Sequence, residues 1–476
     1  MKDREDEKMN KENNGRKFKL AAVAAMTLAA AAVSHDACAA DVGAGWKVGA
    51  ARVNITPQKP VWMAGYGSRD HESEGVWQDV WAKALALEDK EGRVGVIVTI
   101  DICAIARGLS NEIRDRLERE FGLKRDQIII NTSHTHSGPQ TVGVLDHIFT
   151  NLTEANVARI NEYTGRFKDE LVALVGRALA SRRPSKVLTG QGIVRFAVNR
   201  RHNKEGMLTS TSEIKGPSDH AVPVLKVVDE SGKTFAILFG YACHNTAIDK
   251  YLICGDYAGY AQSEVERMHP GATAMFFQGC GSDQNPLPRR KCPNFSKVIQ
   301  YGRELAAAVD QVLSEEMVER EPTLVTRYEE IELALQKPVS REELEKIAVA
   351  GNGDSGRRYI QEWAKMMLKQ LDETHRFAET YSYPVEYWQI GSLKLFALGG
   401  EVMSGYSVEL KKRYGDDTVV MGYSNDVMSY IPTPEAWDEG GYEVTIAHMV
   451  FGLPAPWTRD VTDRILNAAY RLAAER

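Results

Sequence analysis

Short runs of apolar residues recur along the chain, and each gives way to a polar group able to coordinate a metal or move a proton. Residues 94–100 (VGVIVTI) stop at Asp101, and 127–131 (QIIIN) run out just before His134. Residues 235–243 (FAILFGYAC) are followed by His244, and 272–281 (ATAMFFQGCG) by Ser282 and Asp283. Residues 393–400 (LKLFALGG) end at Glu401, and 418–425 (TVVMGYSN) lead to Tyr430. Unbroken apolar runs of this length predict strands buried on both faces.

Between these runs the spacing changes. Residues 110–120 and 259–268 place apolar side chains at helical intervals among charges. Ser340 to Glu343 reads S-x-x-E, a capping box that opens a helical region running toward His375, interrupted by the GNGDSG break at 351–356. Residues 459–476 form a further amphipathic helix. Strands alternating with helices predict an α/β protein. In open α/β sheets ligands bind beyond the carboxyl ends of the strands, which is where the reactive residues collect. No internal repeat or linker is evident, so one domain over 40–476 is expected.

Composition narrows the field. A hydrophobic share of 43% and a charged share of 26% suit a packed core. A net charge of −6 disfavours nucleic acid as a partner. The N-terminus reads as a leader. Arg16, Lys17 and Lys19 precede the apolar stretch 20–33, and Ala37-Cys38-Ala39 offers a small-x-small cleavage pattern. A signal peptide over 1–39 and an exported protein, periplasmic or secreted, are therefore expected. No later segment is apolar enough to span a bilayer. Of the remaining cysteines, Cys103, Cys243, Cys254, Cys280 and Cys292, at least one must be unpaired within the chain; Cys280 and Cys292 flank a loop and can pair.

The chemistry concentrates in NTSHTHSGP, residues 131–139. If this segment is extended, alternate side chains point the same way and His134 and His136 face one cavity. His134, His244 and Glu401 each follow a buried-strand pattern and form a His₂Glu set of the kind zinc accepts. Tyr430 is a further ligand candidate. A phenol has a pKa of about 10 and coordinates only where its anion is stabilised; by itself Tyr430 reads more readily as a packed aromatic. Glu401 can instead complement the dipole of the helix after it. Asp256 is either an outer partner of the site or a helix cap.

Taken in order, GAARVNITP, MAGYGSR, NTSHTHSGP, CHNTAID with CGDYAGYAQ, GGEVMSGYS and GYSNDVMSYIPTPEAWDEGGYE resemble the catalytic domain of the neutral/alkaline non-lysosomal ceramidases, from about Gly49 onward. The resemblance implies a pair of central mixed sheets flanked by helices. It implies a zinc-dependent amidohydrolase with one Zn²⁺ per chain, held by His134, His244, Glu401 and Tyr430. By motif, His136 matches a proton-transfer histidine, Tyr442 an oxyanion-stabilising tyrosine and Arg200 a substrate-pocket arginine. Zinc-bound hydroxide would attack the amide of an N-acyl sphingosine or related N-acyl amine. Another amide, an ester or a lactone would serve the same chemistry, and a non-catalytic exported ligand-binding protein is the alternative class.

Two departures matter. The family's Asp-x-Ser-Pro motif reads Asp283-Gln284-Asn285-Pro286 here, so an amide replaces a hydroxyl. Asp283 is expected to orient a histidine or bind a substrate hydroxyl, and Asn285 to contact substrate. The family's C-terminal β-sandwich domain is not expected in this chain.

Overall fold

The uninterrupted apolar runs become the strands that are covered on both faces. Val94–Ile100, Ile128–Thr132, Thr234–Tyr241, Thr273–Gln278, Leu393–Leu398 and Val419–Met421 are almost wholly buried. The computed structural model describes residues 45–149, 151–208, 213–289, 294–350 and 358–475. The expected leader over 1–39, the 351–356 break and Cys292 lie outside them. Cys103, Cys243, Cys254 and Cys280 are buried free thiols.

The larger of two central sheets has the strand order Thr273–Gln278, Thr234–Tyr241, Ala221–Asp229, Arg183–Ile193, Trp46–Asn54, Trp81–Glu88, Val94–Ile100, Ile128–Thr132, and Val318–Arg320 also pairs with Arg183–Ile193. Its two outer pairs are parallel, and its inner pairs are antiparallel. The smaller sheet runs Leu324–Ala334, Thr380–Ile390, Leu393–Leu398, Val419–Met421, with the last pair parallel. The sheet faces pack on each other through Trp46, Leu85, Ile129 and Met275 against Trp388, Leu395 and Val419. Helices Arg107–Phe121 and Glu154–Ala180 cover one end of the larger sheet's other face, and Asp256–Met268 and Ser296–Ser314 cover the opposite end. Val461–Ala474 and Ser404–Tyr414 cover the smaller sheet. The fold is thus α/β, two mixed sheets between helical layers.

Parallel pairs direct their carboxyl ends the same way, and here those ends are drawn together. The Asn131 side chain accepts from the Gln278 N–H at 2.8 Å and donates to the Gly422 carbonyl at 2.6 Å. Ile128–Thr132 and Thr273–Gln278 are opposite edges of the larger sheet, so this one amide ties both edges to the smaller sheet. Asn245 adds a second tie, donating to the Ser133 carbonyl at 2.5 Å and to the Gln278 side chain at 3.1 Å. Both amides are fully buried, where a lost partner costs most. The residues after the strands therefore face one another across a narrow gap.

Candidate active site

Each element ending at this gap contributes through the turn that follows it. His134 comes two residues after Ile128–Thr132 and has φ 58°, a left-handed conformation unfavourable for a residue with a Cβ. The segment is therefore not extended at His134, contrary to the expectation from alternation. The bend is held by the Ser133 N–H on the Ile100 carbonyl at 2.8 Å and the His136 N–H on the Asn245 carbonyl at 3.1 Å. Both imidazoles still reach one cavity, with their Nε2 atoms 3.1 Å apart. Strain of this kind persists only where the surroundings over-determine it.

His134 Nδ1 donates to the Cys103 carbonyl at 2.8 Å, and His244 Nδ1 donates to the Gly281 carbonyl at 2.8 Å. A carbonyl can only accept, so both rings carry a proton on Nδ1. Their Nε2 atoms each lie 3.3 Å from the same oxygen, Oε2 of Glu401. All three residues are buried. Glu401 is placed beside Tyr430 by a short parallel pairing of Glu401–Val402 with Tyr430–Ile431. The Tyr430 ring lies nearly parallel to that of His244, 6.5 Å between centroids. The Tyr423 hydroxyl reaches Glu401 Oε2 at 3.4 Å.

Charge is unevenly settled here. Burial opposes protonation of His134, but Glu401 and then Cys103 together more than offset it and raise its pKa well above the ordinary histidine value. Burial and then the Arg200 cation push His244 down to about 4. Burial opposes ionisation of Glu401, yet His134 and then His244 together hold it well below the carboxylate range. Burial, His134 and His244 push His136 well below the ordinary value, so it is neutral. Two imidazole nitrogens and a carboxylate oxygen thus converge in a buried space, their outer nitrogens fixed by backbone carbonyls. This donor set fits a divalent zinc-type cation. Cys103 also groups with His134 and His136, but its sulfur lies 3.7 Å from His134 Nδ1, the nitrogen already given to the carbonyl.

The remaining expected residues fall around this cluster. Tyr442 lines the cavity, with its ring 5.6 Å from that of Tyr430. Arg200 pairs with Glu443 at 2.9 Å, and its guanidinium carbon lies 5.5 Å from the centre of the Tyr430 ring. Burial raises the Tyr430 phenol pKa, and Glu401 adds to that; Arg200 opposes both. Asp283 hydrogen-bonds neither histidine: it accepts from the Ser404 N–H at 2.8 Å, the Ser404 hydroxyl at 2.9 Å and Asn199 at 3.1 Å. It therefore anchors the start of helix Ser404–Tyr414, three residues beyond Glu401. Asn285 is buried in the short strand Gln284–Pro286, and its Oδ1 has no hydrogen-bond partner among the described residues. The Asp256 carboxylate accepts from the N–H groups of Tyr257 at 2.6 Å and Ile248 at 3.3 Å, holding its own loop and helix start.

The cavity has a volume of about 630 Å³. Its wall includes residues that pattern reasoning passed over: Cys103, Gly65 and Arg69. The latter two sit in MAGYGSR, a motif that supported the family resemblance but pointed to no role for either residue. Gly65 has φ 98°, and a Cβ there would lie 2.5 Å from the His136 ring. Glycine is therefore required to let the 65–70 segment close on His136.

Comparison with known proteins agrees with this architecture. Residues 46–286 match the sequence profile described as neutral/alkaline non-lysosomal ceramidase, N-terminal. Neutral ceramidase A of Dictyostelium discoideum is 26% identical over 240 residues, 48% of this chain and 33% of that protein. Neutral ceramidase of Pseudomonas aeruginosa is 28% identical over 255 residues, 51% of this chain and 37% of that protein. The matched stretch thus spans about a third of the length of these curated relatives. The crystal structure of the Pseudomonas aeruginosa neutral ceramidase superposes with a TM-score of 0.68 at 20% identity, covering 90% of this chain and 75% of that one. The profile ends before Glu401, Tyr430 and Tyr442, whereas the shared fold extends over nearly the whole chain. The chain belongs to the neutral/alkaline non-lysosomal ceramidase family.

Proposed function

We propose that this protein is an exported zinc-dependent hydrolase that cleaves the amide bond of an N-acyl amine, the class to which ceramide belongs. The observation that carries this reading is the convergence of His134 Nε2, His244 Nε2 and Glu401 Oε2, at 3.3 Å, in a cavity lined by Glu401, Tyr430, His136 and Tyr442. His134, His244, Glu401 and Tyr430 would hold one zinc ion per chain. A zinc ion there supplies Lewis-acid polarisation of a carbonyl and lowers the pKa of water.

The chain's own groups supply the rest. His136 is neutral, and its Nε2 faces the cluster, so it can accept a proton from the attacking water and return it to the leaving amine nitrogen. The Tyr442 hydroxyl can donate to the oxyanion that forms at the substrate carbonyl. Arg200 favours the phenolate form of Tyr430 against burial. Asp283 keeps Glu401 in place through the backbone of the adjoining helix. The products are a carboxylic acid and an amine, and one water is consumed.

The test is incubation of metal-replete protein with ceramide and shorter N-acyl amines, with mass spectrometry of the released acids and amines. A folded His134→Ala, His244→Ala double variant should lose zinc by elemental analysis. His136→Ala should keep zinc and lose turnover by ~10²-fold or more, the range of a positioned proton-transfer group. Full zinc retention in the double variant would remove the proposed site.

A further inference from the structure

The cavity wall beside His136 contains a buried cation that forms no ion pair among the described residues. Arg69 lines the cavity and is only 4% exposed. Its Nη2 donates to the His136 carbonyl at 2.8 Å and its Nη1 to the Lys250 carbonyl at 3.2 Å, while its buried Nε has no acceptor among the described residues. The guanidinium is sandwiched between the rings of Tyr66 and Tyr251, at 5.2 and 5.1 Å. Among the described residues no carboxylate forms an ion pair with it. Its neighbour Asp70 is largely exposed and is engaged by the Tyr251 hydroxyl at 2.8 Å and the His71 ring at 2.6 Å.

Burying an unpaired charge is expensive, and proteins keep such groups where a partner arrives. Neutral carbonyls satisfy two donors of Arg69, and the nearest compensating carboxylate, Asp249, acts on it only at a distance, short of an ion pair. At the rim of the same cavity, Arg358 is exposed and makes no ion pair among the described residues. The rest of the wall differs in kind: Leu145, Ile148, Val450 and Phe451 present hydrocarbon. One cavity thus joins a cationic side, an apolar side and the His-Glu cluster.

From this we infer that the substrate is an amphiphilic amide with an anionic head, of the N-acyl amino acid type, whose carboxylate is met by Arg69. This rests on the hydrolase reading above and narrows it. An uncharged sphingoid head would leave Arg69 as it is now. The reaction remains hydrolysis: the C–N bond breaks, water supplies hydroxyl to the acyl carbon and a proton to nitrogen, and the products are a fatty acid and an amino acid.

The experiment compares zinc-replete full-length protein on three amides with the same acyl chain: N-acyl glycine, N-acyl ethanolamine and N-acyl sphingosine. A matched N-acyl taurine asks whether the charge or the carboxylate shape is read. N-acyl glycine should exceed N-acyl ethanolamine in kcat/KM by about 10–100-fold, the range of one hydrogen bond to a charged group. Arg69→Met should close that gap mainly through KM. Equal rates on the charged and neutral amides in wild type would overturn the inference and leave the hydrolase reading standing; this comparison does not depend on whether the variant folds. A uniform loss in Arg69→Met on all three amides would make Arg69 a brace for His136 and also overturn it. If no amide is cleaved, calorimetry with N-acyl glycine separates the two ideas. Binding that Arg69→Met abolishes would keep the anion site and sink the hydrolase; no binding would sink the inference too.

Discussion

At the scale of single residues, the site depends on atoms having no freedom to move. His134 is held in a left-handed conformation with its Nδ1 proton committed to a carbonyl, so its Nε2 is aimed before any ion arrives. Gly65 plays the complementary part for His136. Gly65→Ala combines an unfavourable φ of 98° with a Cβ 2.5 Å from the imidazole, so the ring or the loop must shift. The variant should keep its zinc, lose turnover, and lose about 1–3 kcal/mol of stability, as expected for strain at such a position. Urea unfolding and zinc analysis of the purified variant check this. Wild-type turnover would show that the 65–70 segment gives way without disturbing His136.

At the scale of elements, the turn after a strand matters more than the strand. The loop from His244 to Asp256 begins with a metal-ligand candidate and ends with a carboxylate that holds its backbone. Asp256 has φ 53°, and burial pushes its pKa up to about 7. Asp256→Ala leaves the N–H groups of Ile248 and Tyr257 without their acceptor in a buried place, and stability should fall by about 1–3 kcal/mol. Asp256→Asn should be milder, because its amide oxygen still accepts and Asn tolerates left-handed backbone. Chemical denaturation of both variants ranks them. Zinc content should be unchanged in both, since this carboxylate serves its own loop.

At the scale of the whole molecule, polar groups clamp the two sheets together. Glu386, on strand Thr380–Ile390 of the smaller sheet, lies 3.9 Å from Arg114, on helix Arg107–Phe121 against the larger one. It also accepts from Asn425 at 2.7 Å and from Trp388 at 2.8 Å. Burial outweighs these partners and pushes its pKa up to about 8, from 4.5. Between those values the folded protein binds a proton that the unfolded chain has released. The contribution of Glu386 is therefore fully present below about pH 4.5 and is lost as pH rises through about 8. Glu386→Gln cannot titrate, so its stability should decline less steeply over this window. Unfolding midpoints at a series of pH values measure the slope; an unchanged slope would show that Glu386 is not the titrating group.

How much of this was legible in the chain follows from how each part is made. Six buried strands could be read directly because strands covered on both faces admit almost no polar residue, and those of the parallel pairs carry the site at their ends. Arg183–Ile193 and Leu324–Ala334 escaped, because they are only partly covered and their mixed exposure blurs any period. The amphipathic helix Glu154–Ala180 was also passed over. Residue types and motif order singled out His134, His136, His244, Glu401, Tyr430 and Tyr442 as candidates, because metal and proton chemistry admit few side chains, and the fold brings them together. Only the tertiary structure could decide what lies between these points. Asp283 turned out to anchor a helix and Asp256 a loop, since a carboxylate's role depends on which donor it meets. Arg69 became a buried cation beside His136 because the 65–70 segment folds back over the ends of distant strands. Sequence specifies which groups are available; burial and long-range closure assign their partners, and a charge acquires its meaning from those partners.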